Sequence, residues 1–436
     1  RSNQTNVEES GMPQELALLG GPRSAEPGAV KSWPIVTPDT YAALSEVLDS
    51  GVYHTLAGPQ CEALSREFAE FCGVKHCVVT NSGTSTLHMC VAAAGLEPGD
   101  EILLPAYTYW ATAAGCLHGL TIPVFVDIDP DTYTMDPAKI ESRISDRTKA
   151  IMPVHINGMP ADMDPINEVA ARRGLVVLGD ACQAAGAEYN GRKTGGLCDA
   201  EGFSLNRSKT VSGCEGGIYA TNRDDFAEYA RNMTSFRTLS IGDPPVERAA
   251  LGWMYRPLEF VNAFALEQLR RAPETLTQRR ELARFLTDQL QTIPGLAGPV
   301  EPPNRNPCYF TYVVTFVRDE VAEAAHLTDE QFMERALAAL RAEGLPFGAY
   351  QTVPLPGMDI FQKKQGFGRG YPWACSDKEY VYDPDDYPAT LHFLKTHCNL
   401  GGVYPPNDLQ LMESFVGGMR KVMSQPGKWV DRQPEA

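Results

Sequence analysis

A lysine, a carboxylate and a hydroxyl-rich turn are the groups in this sequence best placed by type and spacing to do chemistry. Lys209 ends the segment Gly202-Phe203-Ser204-Leu205-Asn206-Arg207-Ser208-Lys209, and Ser212-Gly213-Cys214-Glu215-Gly216-Gly217 follows it. Twenty-nine residues upstream of that lysine, Gly179-Asp180-Ala181-Cys182-Gln183 closes an apolar run. A lysine amine forms a Schiff base with an aldehyde, a carboxylate keeps a pyridine nitrogen protonated, and hydroxyls with backbone amides hold a phosphate. Together these are the requirements of pyridoxal 5'-phosphate.

Each residue has an assigned part in that reading. Asp180 is expected at the pyridine nitrogen, against the alternative that it only caps a helix. Gln183, three residues on, reaches the ring's phenolic oxygen. Lys209, expected on the next strand, is the Schiff-base amine and then the general base and acid that moves a proton. Partial desolvation is expected to lower its pKa for that work. Asn81-Ser82-Gly83-Thr84-Ser85 opens a helix directly after a strand, where free amides and the helix dipole favour a phosphate. Thr84 and Ser85 add hydroxyl donors there, and Ser204 another. In Tyr107-Thr108-Tyr109-Trp110-Ala111-Thr112 one ring is expected on the cofactor face, against the alternative of an aromatic core cluster.

The elements that must position these groups follow from hydrophobic patterning. Short apolar strands are expected at Cys77 to Thr80, Glu101 to Pro105, Pro123 to Asp127, Ala150 to Val154 and Leu175 to Leu178. Helical stretches separate them, which predicts a mostly parallel sheet covered on both faces. Such sheets bind ligands at the carboxyl ends of their strands, where Asn81 to Thr84 and Asp180 both fall. A long helix is expected from Pro257 to about Leu290, and the proline-rich run from Pro299 to Pro307 marks a boundary. The expected division is an N-terminal arm over 1–32, a large cofactor-binding domain over 33–295 and a small C-terminal α+β domain over 296–436. Residues 350–390 lack periodicity, and so long an irregular stretch predicts a functional loop.

With 436 residues, 43% hydrophobic and 21% charged, the composition is that of an ordinary soluble enzyme. A formal charge of −17 excludes a basic grip on nucleic acid. The 11 cysteines form no C-x-x-C pair, which fits free thiols in a reducing cytoplasm. The polar start from Arg1 to Asn6 lacks the apolar stretch of a signal peptide, and no segment reaches the ~18 apolar residues of a membrane span. A soluble, cytoplasmic protein is expected.

Beyond single residues, the ordered motifs resemble the DegT/DnrJ/EryC1/StrS family of pyridoxal phosphate-dependent sugar aminotransferases. The resemblance rests on Asn81-Ser82-Gly83-Thr84, Pro105 to Tyr109, Val154-His155, Asp162-Met163-Asp164, Asp180 to Ala184, Phe203 to Lys209, Glu215-Gly216-Gly217 and Gly252-Trp253-Met254-Tyr255-Arg256. It implies the fold-type I, aspartate aminotransferase-like α/β architecture. By the same resemblance Lys209 is the Schiff-base lysine, and Asp180 and Gln183 contact the ring. Gly83, Thr84 and Ser204 then hold the phosphate, and Tyr109 stacks. The family builds each site from two subunits, so a homodimer is implied. Where the family commonly has an Asn reaching the neighbouring phosphate, this chain has Met254, which cannot donate, and Arg256 or another group is the expected replacement.

The N-terminal Leu18-Leu19-Gly20-Gly21-Pro22 and Trp33-Pro34 resemble the branch holding glutamine-dependent cyclitol aminotransferases and aminohydroxybenzoate synthases. Transfer of an amino group from L-glutamine or L-glutamate to a keto sugar or keto cyclitol is therefore implied, in amino-sugar or antibiotic biosynthesis. The hydroxyls of such an acceptor are expected to meet Tyr380, Tyr382, Asp383, Asp385, Asp386, Tyr387 and His392. A sugar-dehydratase branch has His at the lysine position, which Lys209 argues against. A non-catalytic cofactor-binding protein is a further alternative, and no G-x-G-x-x-G supports a nicotinamide enzyme.

Overall fold

The computed structural model describes residues 14–54, 58–234, 238–241, 246–249, 252–349 and 351–433. The polar start from Arg1 to Asn6 lies outside the described residues. A seven-stranded sheet contains β1 (His76–Thr80), β2 (Glu101–Pro105), β3 (Ile122–Val126), β4 (Thr148–Ile151), β5 (Val176–Asp180), β6 (Ala200–Ser204) and β7 (Gly217–Thr221). Their order is β1-β7-β6-β5-β4-β2-β3. Strand β7 is antiparallel to both neighbours and the other pairs are parallel, so the mostly parallel sheet is present. Its strands are apolar without alternation because helices cover both faces, and all five residues of β2 are buried.

The principal helices are α1 (Pro38–Ser50), α2 (Pro59–Cys72), α3 (Gly83–Ala93), α4 (Ala111–His118), α5 (Met163–Arg173), α6 (Asp224–Met233), α7 (Glu259–Leu290), α8 (Asp329–Ala342), α9 (Pro388–Thr396) and α10 (Leu409–Met423). Helix α7 starts two residues later than its Pro257 suggested. Its first residue is used elsewhere: the buried Glu259 carboxylate accepts from the Gln60 and Cys61 amides, capping α2. A Cβ at Gly58 would meet that carboxylate at 2.4 Å, which explains glycine at the entry of α2.

A second sheet is antiparallel throughout, with β8 (Leu296–Ala297), β9 (Tyr312–Phe316), β10 (Phe347–Gly348) and β11 (His397–Leu400) in the order β8-β9-β11-β10. Its core joins Leu282 and Leu286 of α7 to Phe332 of α8 and Phe415 of α10. The described part of the N-terminal arm is not free: Leu16 and Ala25 enter this second core. The Glu343 carboxylate ties the arm down, accepting from the Ala17 amide, the Ser24 hydroxyl and Lys421 Nζ.

Residues 350–390, expected as a functional loop that meets the acceptor, are built differently. Leu355, Phe361, Trp373, Tyr380, Tyr382 and Tyr387 are buried in the core of the large sheet, packed with Phe125 of its edge strand β3. The Tyr382 hydroxyl donates to the Pro123 carbonyl at 2.8 Å, and Tyr380 donates to Glu101 at 2.9 Å. Asp383 caps its own turn at the Asp385 amide, and Asp386 pairs with Arg143. The stretch is a brace over a sheet edge, built by aromatic burial that alternation analysis does not detect.

Glu101 anchors this brace. It is fully buried, and its carboxylate accepts from Lys378, Tyr380, Ser145 and Thr148. Burial opposes its charge, but the hydrogen bonds from Lys378, Ser145 and Tyr380 outweigh burial and hold the carboxyl below its usual range. A depressed carboxyl pKa stabilises the fold above the unfolded-state value and loses that contribution as pH falls through the folded value. Glu101→Gln is accordingly expected to lose about 1–3 kcal/mol at pH 7. The deficit relative to wild type should shrink in acid, as read by denaturant melts at both pH values.

Candidate active site

The carboxyl ends of β1, β5 and β6 meet at one cavity of about 380 Å³. Its lining includes Ser82, Gly83, Thr84, Tyr109, Asp180, Gln183, Ser204 and Lys209, which were singled out from the sequence, together with Cys182 and Phe310. A larger cleft of about 1000 Å³ along the end of α7, from Arg284 to Glu320, holds none of the residues singled out for chemistry.

Asp180 ends β5 and is 4% exposed. Its Oδ1 accepts from the Cys182 amide at 3.0 Å and its Oδ2 from the Thr112 hydroxyl at 2.6 Å. Thr108 Oγ1 lies 2.9 Å from the Thr112 hydroxyl, so Thr112 of α4, backed by Thr108 in the preceding turn, orients the carboxylate. Behind it, the His155 amide donates to the Asp180 carbonyl and the Asp180 amide to Pro153. Gln183 accepts from the Asn157 amide at 2.8 Å, which fixes the direction of its side chain.

Lys209 stands in the turn after β6, not on a strand as expected, because Leu205 and Gly213 close a hairpin-like loop through the Gly213 amide and Leu205 carbonyl. Its Nζ lies 4.2 Å from the centroid of the Phe310 ring. Burial lowers the pKa of the ammonium below its ordinary value, while Cys182 and Asp180 oppose that shift. Burial and Asp180 also push the Cys182 thiol well up, so it is a neutral wall of the cavity.

On the opposite wall, Gly83 and Thr84 form the first turn of α3, where amides lack intrahelical partners. A Cβ on Gly83 would come 2.7 Å from Ser204 Cβ and 3.1 Å from Cys182 Sγ, so only glycine leaves this corner open. Gly216, at φ +113°, bridges to Ser82 and lets β7 pass beneath the turn.

One expected contact is not present. Ser85 is buried and faces away from the cavity, its hydroxyl bonded to Asn81 Oδ1 at 2.6 Å and its amide to Ser82 Oγ. It serves the N-cap of α3. Arg256, expected at the neighbouring subunit's phosphate, is exposed and lies outside the lining of its own subunit's cavity. Of the aromatic motif, Tyr109 lines the cavity while Tyr107 is buried 4.4 Å from Phe393, so both alternatives hold for different rings. None of Tyr380, Tyr382, Asp383, Asp385, Asp386, Tyr387 and His392 lines it. Thr112 and Phe310 were missed. Thr112 stood within a quoted motif, whereas Phe310 arrives from a distant segment with no signal of its own.

Comparison with known proteins bears on this geometry. The sequence model of the DegT/DnrJ/EryC1/StrS aminotransferase family matches residues 34–373. The chain belongs to that family. It is 41% identical over 228 residues to the GDP-perosamine synthase of Caulobacter vibrioides, covering 52% of this chain and 60% of that protein. It is 35% identical over 351 residues to a putative L-glutamine:3-amino-2,3-dideoxy-scyllo-inosose aminotransferase of Streptoalloteichus tenebrarius, covering 79% of this chain and 82% of that protein. The crystal structure of 3-amino-5-hydroxybenzoic acid synthase superposes with a TM-score of 0.79 at 24% identity, over 91% of this chain and 99% of that one. The DegT/DnrJ/EryC1/StrS member described here thus has the fold-type I aminotransferase architecture. Among its described residues, no helix is long and apolar enough to cross a membrane.

Proposed function

We propose that this chain is a pyridoxal phosphate-dependent aminotransferase that moves an amino group from L-glutamine or L-glutamate to a keto sugar or keto cyclitol. The observation that carries the reading is the convergence of Lys209, Asp180 and the first turn of α3 on one cavity. The residues fit the cofactor. The volume suits a ligand of that size, the glycine corner leaves room beside Ser204 for a phosphate, and Lys209 in the lining is partly desolvated. When bound, the cofactor supplies an aldehyde for amine exchange and a ring that accepts electrons from the substrate carbon.

The chain's own groups do the rest. Asp180, held by Thr112 and the Cys182 amide, offers its carboxylate to the pyridine nitrogen and so favours the protonated ring. Gln183 would meet the phenolic oxygen and Tyr109 the ring face, and Gly83, Thr84 and Ser204 would hold the phosphate. Lys209 Nζ, partly desolvated at the cavity, would hold the cofactor through its aldehyde and would serve as the base and acid that moves a proton there.

The test is isotope transfer. Holoprotein given L-glutamine labelled with ¹⁵N at the α-amine and a panel of keto sugars and keto cyclitols should yield a ¹⁵N-labelled amino product by mass spectrometry. Loss of water from the keto sugar with no label gained would instead establish the dehydratase alternative.

A homodimer with composite sites is part of the proposal, with Gly252 to Arg256 reaching the neighbouring subunit's phosphate. Met254 is exposed and has φ +56°, a conformation that Asn adopts more readily than Met. Met254→Asn is therefore expected to tighten cofactor binding about 3- to 10-fold by adding one donor to the phosphate. Equilibrium dialysis against the cofactor reads this, and an unchanged affinity would remove residue 254 from the site.

A further inference from the structure

Gln183 owes its orientation to a turn with unusual backbone. After β4 the chain runs through Pro153-Val154-His155-Ile156 into Asn157-Gly158, where both residues are left-handed, Asn157 at φ +57° and ψ 8° and Gly158 at φ +88°. Residues with a Cβ avoid that region, Asn and Asp least. Asn157 is also buried, 6% exposed. A strained residue persists only where its surroundings over-determine it.

Those surroundings are the segment that enters the second sheet. The Cys308 amide donates to the Gly158 carbonyl at 3.0 Å, and Thr311 donates twice to Asn157, from its hydroxyl to Oδ1 at 3.0 Å and from its amide to the carbonyl at 3.4 Å. A Cβ on Gly158 would meet Cys308 Sγ and the Phe310 nitrogen at 2.7 Å each, so the two segments lie in close contact. Between Cys308 and Thr311 stands Phe310, whose ring lies over Lys209 Nζ. One turn thus touches both Gln183 and the segment that covers the lysine.

The turn also chooses the polarity of Gln183. A side-chain amide has an accepting and a donating end of nearly the same shape, and its partners decide which end faces a ligand. The Asn157 N–H can only donate, so at 2.8 Å it takes Oε1. The end turned to the cavity that Gln183 lines is then the donor Nε2. Resting on the pyridoxal phosphate reading, we propose that Asn157 is a positioning residue, whose left-handed turn holds Gln183 donor-outward toward the negatively charged phenolic oxygen of the cofactor ring. The reverse orientation would set one oxygen against another. A donor at that place stabilises the negative oxygen and lowers the proton affinity of the conjugated system that joins cofactor and Lys209.

A pH titration of the holoprotein's visible absorption tests this. Gln183→Met, which keeps the length of the side chain but not its donor, should raise the apparent pKa by about 1 unit, a ~10-fold change in proton affinity and the scale of one hydrogen bond to a charged group. Asn157→Val should raise it in the same direction, because a β-branched residue resists left-handed backbone and the amide then leaves Gln183. Asn157→Gly should titrate as wild type does, since glycine keeps both the turn and the N–H. Asn157→Val combined with Gln183→Met should shift no further than Gln183→Met alone. Asn157→Ala strains the turn less and takes the place of the valine variant if that one does not fold. A folded Asn157→Val or Asn157→Ala with the wild-type titration overturns the proposal and leaves Asn157 a clip between two segments, a role that moves the melting temperature alone. So does a glycine variant shifted as far as the valine one, or shifts that add in the double variant, since the effect then belongs to the Asn157 side chain or to another group. The cofactor reading fails by a separate result, wild-type protein that develops no visible band when mixed with pyridoxal 5'-phosphate.

Discussion

Lys209→Ala is expected to abolish amino transfer, lowering turnover by ~10⁴-fold or more, because one side chain acts both as covalent partner and as proton carrier. The fold should survive the change. Lys209 sits in a turn whose backbone is held by the Asn206 carbonyl and by Trp33, and its side chain lies over the Phe310 ring and lines the cavity. Removing a partly desolvated cation relieves a cost of burial, so the melting temperature of the cofactor-free variant should equal or exceed that of wild type. Steady-state assays and melts together read the prediction. Retained transfer in the variant would place the reactive amine on another residue.

Asp180→Asn is expected to lower turnover by ~100-fold or more, the usual scale for removing a charge partner at a reacting centre. The substitution is nearly isosteric. An amide oxygen can still accept from the Cys182 amide or the Thr112 hydroxyl, so the turn that leads to Gln183 should persist. What disappears is the negative charge facing the ring nitrogen. The capping alternative makes the opposite forecast. If Asp180 serves chiefly to receive the Cys182 amide, the variant should turn over at a near-normal rate and show only a small change in melting temperature. Single-turnover measurements with L-glutamine alone separate these outcomes, since they report the donor half-reaction without the acceptor.

The parts of the site legible in the sequence are those built within a single strand-to-helix or strand-to-turn unit. Asp180, Gln183, Gly83, Thr84 and Ser204 all lie at the carboxyl ends of parallel strands, and apolar runs locate such ends directly. Ser85 misled for a physical reason. A serine in the first turn of a helix can donate to a ligand or secure the N-cap, and only the neighbouring Asn81 and Ser82 oxygens decide between them. Phe310 was illegible because it reaches the lining of Lys209's cavity from a segment just before β9, far along the chain from the strand ends that supply most of that lining.

The stretch over 350–390 shows a different limit. Its Tyr and Asp content reads as a polar recognition loop, yet the tyrosines turn inward on Phe125 and Phe361 and spend their hydroxyls on Pro123 and Glu101. Tyrosine joins an apolar ring to one polar atom, so composition alone does not say which end is used. The partner that decides it here, the amino end of β2, is more than 250 residues away in sequence.

The central claim is that Lys209 is the amine joined to the cofactor and displaced by the donor. Reducing the holoprotein with borohydride, digesting it and mapping the modified peptide by mass spectrometry tests this most directly. A phosphopyridoxyl mass on Lys209 alone, lost when L-glutamine is added before reduction, is the predicted result. The same mass on another lysine, or a Lys209 adduct that L-glutamine leaves unchanged, would contradict the account.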